Sequence, residues 1–267
     1  MKKKFMQWLL LAAVITYSAG CSKNQTLSSN TFVLVHGSWQ APYVWNTVKS
    51  ELEKAGQKVI VVELPAHGND FTSPAEVSID VYRDKVISAI NNTNSKVILV
   101  GHSLGGMVVS AVAEKTPSKI KKLIYIAGFV PVSGQTLIEL AGEDAQSLLG
   151  PALISSKDQL LLDVRQDAIT SIFCQDGSDA VKKLVLDNYR SEPAIPFTNP
   201  VTVTDANFGT VDKYYIHTLQ DHAIGIDLQN KMANAAHITK TFSLNTGHSP
   251  FLTQPDEVTK LLLQIAN

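Results

Sequence analysis

The chain has 267 residues, 45% of them hydrophobic, enough to bury a substantial core in one domain. Its formal charge is −1, and no basic run follows the first four residues, so the electrostatic footprint of a nucleic-acid binder is missing and that class is excluded.

In chain order, the first segment, MKKKFMQWLLLAAVITYSAGC, sets three lysines before the largely apolar run Phe5 to Tyr17 and the small residues Ser18, Ala19 and Gly20. It predicts a secretory signal peptide over residues 1–20; a spanning helix needs about 20 apolar residues. Cys21 follows directly, and SAGC is similar to the lipobox of bacterial lipoproteins, with Ser18 where leucine is usual. Acylation of Cys21 is therefore expected, with the polar stretch to residue 30 as a tether, conventional cleavage being the alternative. The implied location is the cell envelope, exported, lipid-anchored and facing the periplasm, with a lean to the outer membrane because Ser22 is not aspartate. Cys174 is then left alone, without a disulfide and without a motif that would make it a nucleophile.

From residue 31 strand-like and helix-like patterns alternate. Strands are predicted at Thr31–Val35, Lys58–Leu64, Lys96–Val100, Lys122–Ala127, Lys213–Thr218 and Ile238–Leu244, and helices near 43–55, 78–92, 104–116, 224–235 and 255–266. This predicts an α/β fold: a mostly parallel six-stranded sheet with helices on both faces and ligands at the carboxyl ends of the strands. The interval from about 131 to 205 breaks the alternation. It is too long for a loop and too apolar for disorder, so an inserted cap of short helices is expected within a domain covering 31–267. Leu148, Leu149, Leu161, Leu162 and Phe173 are candidates for an apolar acyl pocket there, although leucines at helical spacing more often simply pack.

VGHSLGG joins the third strand to the third helix. A dinucleotide fingerprint fails because Ser103 stands where a glycine is required, and a phosphate-binding P-loop fails because Met107 and Val108 stand where lysine and a hydroxyl are required. What remains is G-x-S-x-G, a nucleophile elbow with Ser103 at its apex and the Leu104 amide beside it. A second oxyanion donor is expected from the loop after the first strand, HGSW, at the Ser38 amide. An acid and then a histidine should follow at the ends of later strands. Asp221 follows KYYIHTLQ directly, ahead of the competitors Asp205, Asp212 and Asp227, and His248 lies just past the last strand. His36, His67, His102, His217, His222 and His237 read as scaffold or surface; no metal-binding cluster is present, and neither metal nor cofactor is expected.

These motifs, HGSW with a later tryptophan, GHSLGG, the aspartate after YIHTLQ, and GHSPFLTQPDEV, resemble the α/β-hydrolase branch of plant methylesterases, salicylate-binding esterases, hydroxynitrile lyases and bacterial carboxylesterases. The resemblance covers residues 31–267, most weakly in the cap. It implies Ser103 as nucleophile, His248 as base, Asp221 as its orienter, and the Ser38 and Leu104 amides as oxyanion hole. The expected reaction is hydrolysis of a small-molecule ester through an acyl-enzyme, and a compact cap points to small or medium apolar carboxylic esters rather than polymers. The lyases of that branch carry threonine after the first-loop histidine and lysine after the catalytic histidine, whereas this chain has Gly37 and Ser249. A lactonase or lyase-like activity, or small-molecule binding without turnover, are the alternatives. The oligomeric state is not legible.

Overall fold

The computed structural model describes residues 29–267. The expected signal peptide, Cys21 and most of the tether lie outside the described residues. In chain order, β1 (Thr31–Val35), α1 (Asn46–Lys54), β2 (Lys58–Val62), α2 (Ile79–Asn91), β3 (Val97–His102), α3 (Gly105–Lys115) and β4 (Ile120–Ile126) alternate strand with helix. Then come α4 (Leu137–Gly142), β5 (Leu153–Ser155), β6 (Leu161–Val164), α5 (Ile169–Phe173), α6 (Asp179–Asp187), β7 (Glu192–Pro193) and α7 (Ile195–Thr198). Alternation resumes with β8 (Lys213–Thr218), α8 (Ile226–Ala235), β9 (Lys240–Leu244), α9 (Pro250–Thr253) and α10 (Pro255–Ala266).

Six strands form one sheet in the order β2-β1-β3-β4-β8-β9, every neighbouring pair parallel. Successive residues of a strand face opposite ways, so a central strand buried on both sides must be apolar throughout, as TFVLV nearly is. Phe32 and Leu34 of β1 pack with Ile98 and Val100 of β3 against Val48 and Leu52 of α1 and Val258 and Leu262 of α10. Val33 and Val35 face the other layer, with Tyr82 and Val86 of α2, Val108 and Val112 of α3, and Met232 of α8. Polar caps start several helices: the Ser78 hydroxyl accepts from the Val81 amide at α2, and Thr136 with Glu139 forms a capping box at α4.

The interval between β4 and β8 corrects the expectation of short helices alone. It holds α4 to α7 and also a small antiparallel sheet, β5-β6-β7, with Leu153 opposite Val164 and Leu162 opposite Glu192. LLGPALI cannot continue as a helix through Pro151 and makes a single 3-10 turn over Gly150–Ala152 before β5. QLLLDV is apolar enough for a helix, but its Leu161–Val164 stretch pairs instead with β5 and β7. The chain reverses before it through Asp158, whose carboxylate accepts from the Leu160 amide at 3.2 Å, and through Gln159 in the left-handed region at φ 60°.

Because β2 lies on one side of β1 and β3 on the other, the order reverses at β1 and leaves the carboxyl ends of β1 and β3 side by side, with Val35 in register with Gly101. The two loops that sequence spacing separates by some 65 residues therefore emerge next to each other.

Candidate active site

β3 ends at His102 and α3 starts at Gly105, so the chain turns within two residues, and Ser103 sits at φ 53°, a left-handed conformation that costs a non-glycine residue about 1–3 kcal/mol. The turn is held from outside: the Ser103 amide donates to Ala127 O (3.2 Å), and its carbonyl accepts from the amides of Gly106 (2.9 Å) and Phe129 (3.0 Å). Gly105 is required by approach to the first loop, since a Cβ there would lie 2.7 Å from His36 O.

The loop after β1 touches this elbow directly; a Cβ on Gly37 would stand 2.6 Å from Ser103 Cβ and 2.8 Å from His102 Nδ1. His36 fixes the loop. Its Nε2 accepts the Leu64 amide (3.2 Å), so the proton is on Nδ1, which donates to Gly37 O (2.9 Å). Complete burial, with His67 close by, lowers its pKa to about 3 and keeps it neutral. A trans peptide points its N–H opposite to its C=O. Anchoring Gly37 O thus aims the Ser38 N–H away from His36, and anchoring Ser103 O does the same for the Leu104 N–H. Among the described residues neither amide donates a hydrogen bond within the protein.

Asp221 and His248 come together, both buried, with His248 Nδ1 2.8 Å from Asp221 Oδ2. Every other contact of the carboxylate is also a donor. Oδ1 accepts the amides of Ala223 (2.7 Å) and Ile224 (2.9 Å), and Oδ2 accepts the Thr218 hydroxyl (2.7 Å), with Gln229 Nε2 at 3.5 Å. The aspartate therefore accepts the Nδ1–H of His248 and leaves its Nε2 with a free lone pair. His102 Nε2–H donates to His248 O (2.9 Å) and ties the histidine loop to the residue before Ser103. The competing acids lie elsewhere: Asp212, for example, pairs with Lys240 at 2.6 Å beside the opening residues of β8 and β9.

Ser38, Trp39 and Ser103 line one cavity of about 230 Å³, closed by apolar side chains that include Leu137, Leu149, Leu162 and Phe197. Of the leucines singled out in the sequence, Leu149 and Leu162 line it, whereas Leu148 is exposed and Leu161 faces a different groove. Phe173 is buried behind it, its ring 5.5 Å from Trp39 and 6.0 Å from His248. Burial pushes the Cys174 thiol up to about 11, an inert packing residue. Thr218, Gln229, Ala127 and Glu192 all hold the site; Thr218 falls within YIHTLQ but drew no role there, and the other three belong to no motif that sequence spacing exposes.

A model of the alpha/beta hydrolase family matches residues 32–261. Among curated proteins, the chain is 31% identical to the chloroplastic methylesterase 11 of Arabidopsis thaliana, over 91% of this chain and 66% of that one, so it spans slightly less than two thirds of that relative. It is 28% identical to salicylic acid-binding protein 2 of Nicotiana tabacum, over 88% and 96% of the two chains. Its fold is similar to that of polyneuridine aldehyde esterase, with a TM-score of 0.80 at 22% identity, covering 90% of this chain and 100% of that one. These relatives overturn the expected envelope location: they are plant proteins, one named for the chloroplast, rather than exported lipoproteins facing a periplasm. Among the described residues, no helix is long and apolar enough to cross a membrane. The matched segment, the parallel sheet and the elbow at its centre agree, and the chain belongs to the alpha/beta hydrolase family.

Proposed function

We propose that the protein hydrolyses small, largely apolar carboxylic esters by two-step acyl transfer. His248 Nε2 removes the proton of the Ser103 hydroxyl as its oxygen attacks the ester carbonyl, and Asp221 holds the imidazole in the tautomer that leaves Nε2 free. The Ser38 and Leu104 amides stabilise the oxyanion. The alcohol leaves with the proton from His248, and water, deprotonated by the same nitrogen, releases the acid from Ser103.

The observation that carries this reading is the buried Asp221–His248 hydrogen bond of 2.8 Å behind the left-handed Ser103 turn. The cavity of about 230 Å³ lies below the roughly 300–1,000 Å³ of drug-sized ligand sites, which favours compact substrates such as methyl esters of small acids. The names of the relatives point the same way: methylesterase and esterase. The test is a fluorophosphonate probe with peptide mapping, alongside a panel of aryl and methyl esters of rising acyl length. Labelling at Ser103 that is abolished in Ser103→Ala, with turnover lost by several orders of magnitude, is the expected result. An S103A protein that keeps its esterase activity refutes the reading.

A further inference from the structure

Glu192 is fully buried on β7, and one of its oxygens, Oε2, faces two donors from other elements: the Trp39 amide at 2.7 Å and His67 Nε2 at 2.9 Å. The hydrolytic steps above use neither Glu192 nor His67. His67 Nδ1 lies 3.0 Å from Pro65 O, which can only accept, so Nδ1 carries a proton. The contact between Nε2 and Oε2 then requires a second proton, shared between imidazole and carboxyl.

Around this pair stand the neutral His36, its ring centroid 4.9 Å from that of His67, and Tyr82 of α2, edge-on at 5.7 Å. Arg190, two residues before Glu192, donates to Gly68 O (2.6 Å) and Asp70 O (3.0 Å) of the same turn as His67. Burial and Arg190 disfavour the imidazolium, but the charge of Glu192 and the bonds to Glu192 and Pro65 outweigh them, so His67 titrates above its ordinary value.

What the pair holds is a strained turn next to the reaction centre. Trp39 sits at φ 56° in the left-handed region, and its indole N–H donates to Leu162 O on β6 at 2.9 Å. Ser38 lies between two anchored peptides: His36 holds the carbonyl of the one before it, and Glu192 holds the amide of the one after it. Releasing the second would let the Trp39 turn relax and swing the Ser38 amide.

We propose that Glu192 is a positioning residue for ester hydrolysis: fixed by the proton it shares with His67, its carboxylate clamps the Trp39 turn and keeps the Ser38 amide aimed at the oxyanion. The proposal rests on Ser38 being an oxyanion donor, as read above. A carboxylate oxygen can accept from both donors at once. An amide oxygen in its place can do so only while His67 is charged, and it supplies no counter-charge to keep it charged.

The experiment compares kcat and KM from pH 6 to 9.5 for the wild type, Glu192→Gln, His67→Gln and Ser103→Ala. Loss of one oxyanion donor costs about 10²–10³ in kcat, so a mis-aimed one should lower kcat of E192Q at least about tenfold, with KM within about threefold. In H67Q a side-chain amide donates to Glu192 at any pH. Wild-type kcat should decline at alkaline pH as His67 gives up the shared proton, whereas kcat of H67Q should stay within about threefold of the wild-type value at neutral pH and show no such decline. An E192Q enzyme with kcat unchanged while S103A is inactive overturns the proposal and leaves the serine mechanism standing. If E192Q does not fold, an alkaline decline in H67Q identical to wild type overturns it. An active S103A overturns the serine mechanism and this inference with it.

Discussion

Lowering the pH from 7 to 5 should cost this fold about 2 kcal/mol through His36 alone. In the unfolded chain the imidazole titrates near 6.5; in the folded protein it is held down to about 3, because it is wholly buried and its Nε2 must accept the Leu64 amide. Its folded value is the depressed one, so below pH 6.5 only the unfolded chain gains a proton. Stability is therefore lost as pH falls from 6.5 toward 3. At pH 5, about 1.5 below the ordinary imidazole value and still well above the folded one, the linkage amounts to roughly 1.5 × 1.36, or about 2 kcal/mol. The comparison is His36→Gln, whose side-chain oxygen can accept the Leu64 amide but does not titrate. Urea unfolding at pH 7 and pH 5, extrapolated linearly, gives the two losses. H36Q should be less stable at pH 7 by about 1–3 kcal/mol, for the lost bond to Gly37 O, yet lose about 2 kcal/mol less than wild type between the two pH values. Equal losses in both proteins would refute the argument that a lone pair committed to Leu64 keeps His36 neutral.

Three further expectations follow from the site. Asp221→Asn presents an N–H where Nδ1 of His248 now donates, which favours the other tautomer and blocks Nε2; kcat should fall by about 10⁴ with the fold intact by circular dichroism, and a fall of less than tenfold would refute the orienting role. Gly37→Ala places a Cβ 2.6 Å from Ser103 Cβ, so it should destabilise by about 1–3 kcal/mol and impair turnover; an unchanged Tm with full activity would mean the two loops are not in contact as described. The His67–Glu192 pair has the opposite sign to His36. Its imidazole value is raised, so its contribution is fully present below about pH 6.5 and is lost as pH rises through the folded value, and a Tm that declines from pH 6.5 to pH 9.5 in wild type but not in H67Q is the expected observation.

Much of the framework was legible because its signals are local. Apolar runs bounded by turn residues marked all six main-sheet strands, β1 and β8 to the residue, and the glycines of GHSLGG forced a tight turn under Ser103 whatever the rest of the fold does. Asp221 and His248 were singled out the same way, each in the loop that follows a strand, and the structure places their side chains 2.8 Å apart. The interval between β4 and β8 was less legible. There Leu161 to Val164 is apolar enough for either a helix or a strand, and its pairing with Leu153–Ser155 decides which.

By itself, then, the sequence determined the alternation of strand and helix, the turn under Ser103 and the residue types at the loops, since these depend on steric and periodic rules that act over a few residues. Tertiary structure alone decided the order β2-β1-β3, which brings HGSW beside GHSLGG, and the donors that surround Asp221 from Thr218, Ala223 and Ile224. It also decided the contact of Glu192 with Trp39 and His67, 153 and 125 residues away along the chain. A buried carboxylate must find its donors wherever packing delivers them, and no local pattern in the chain records which ones those will be.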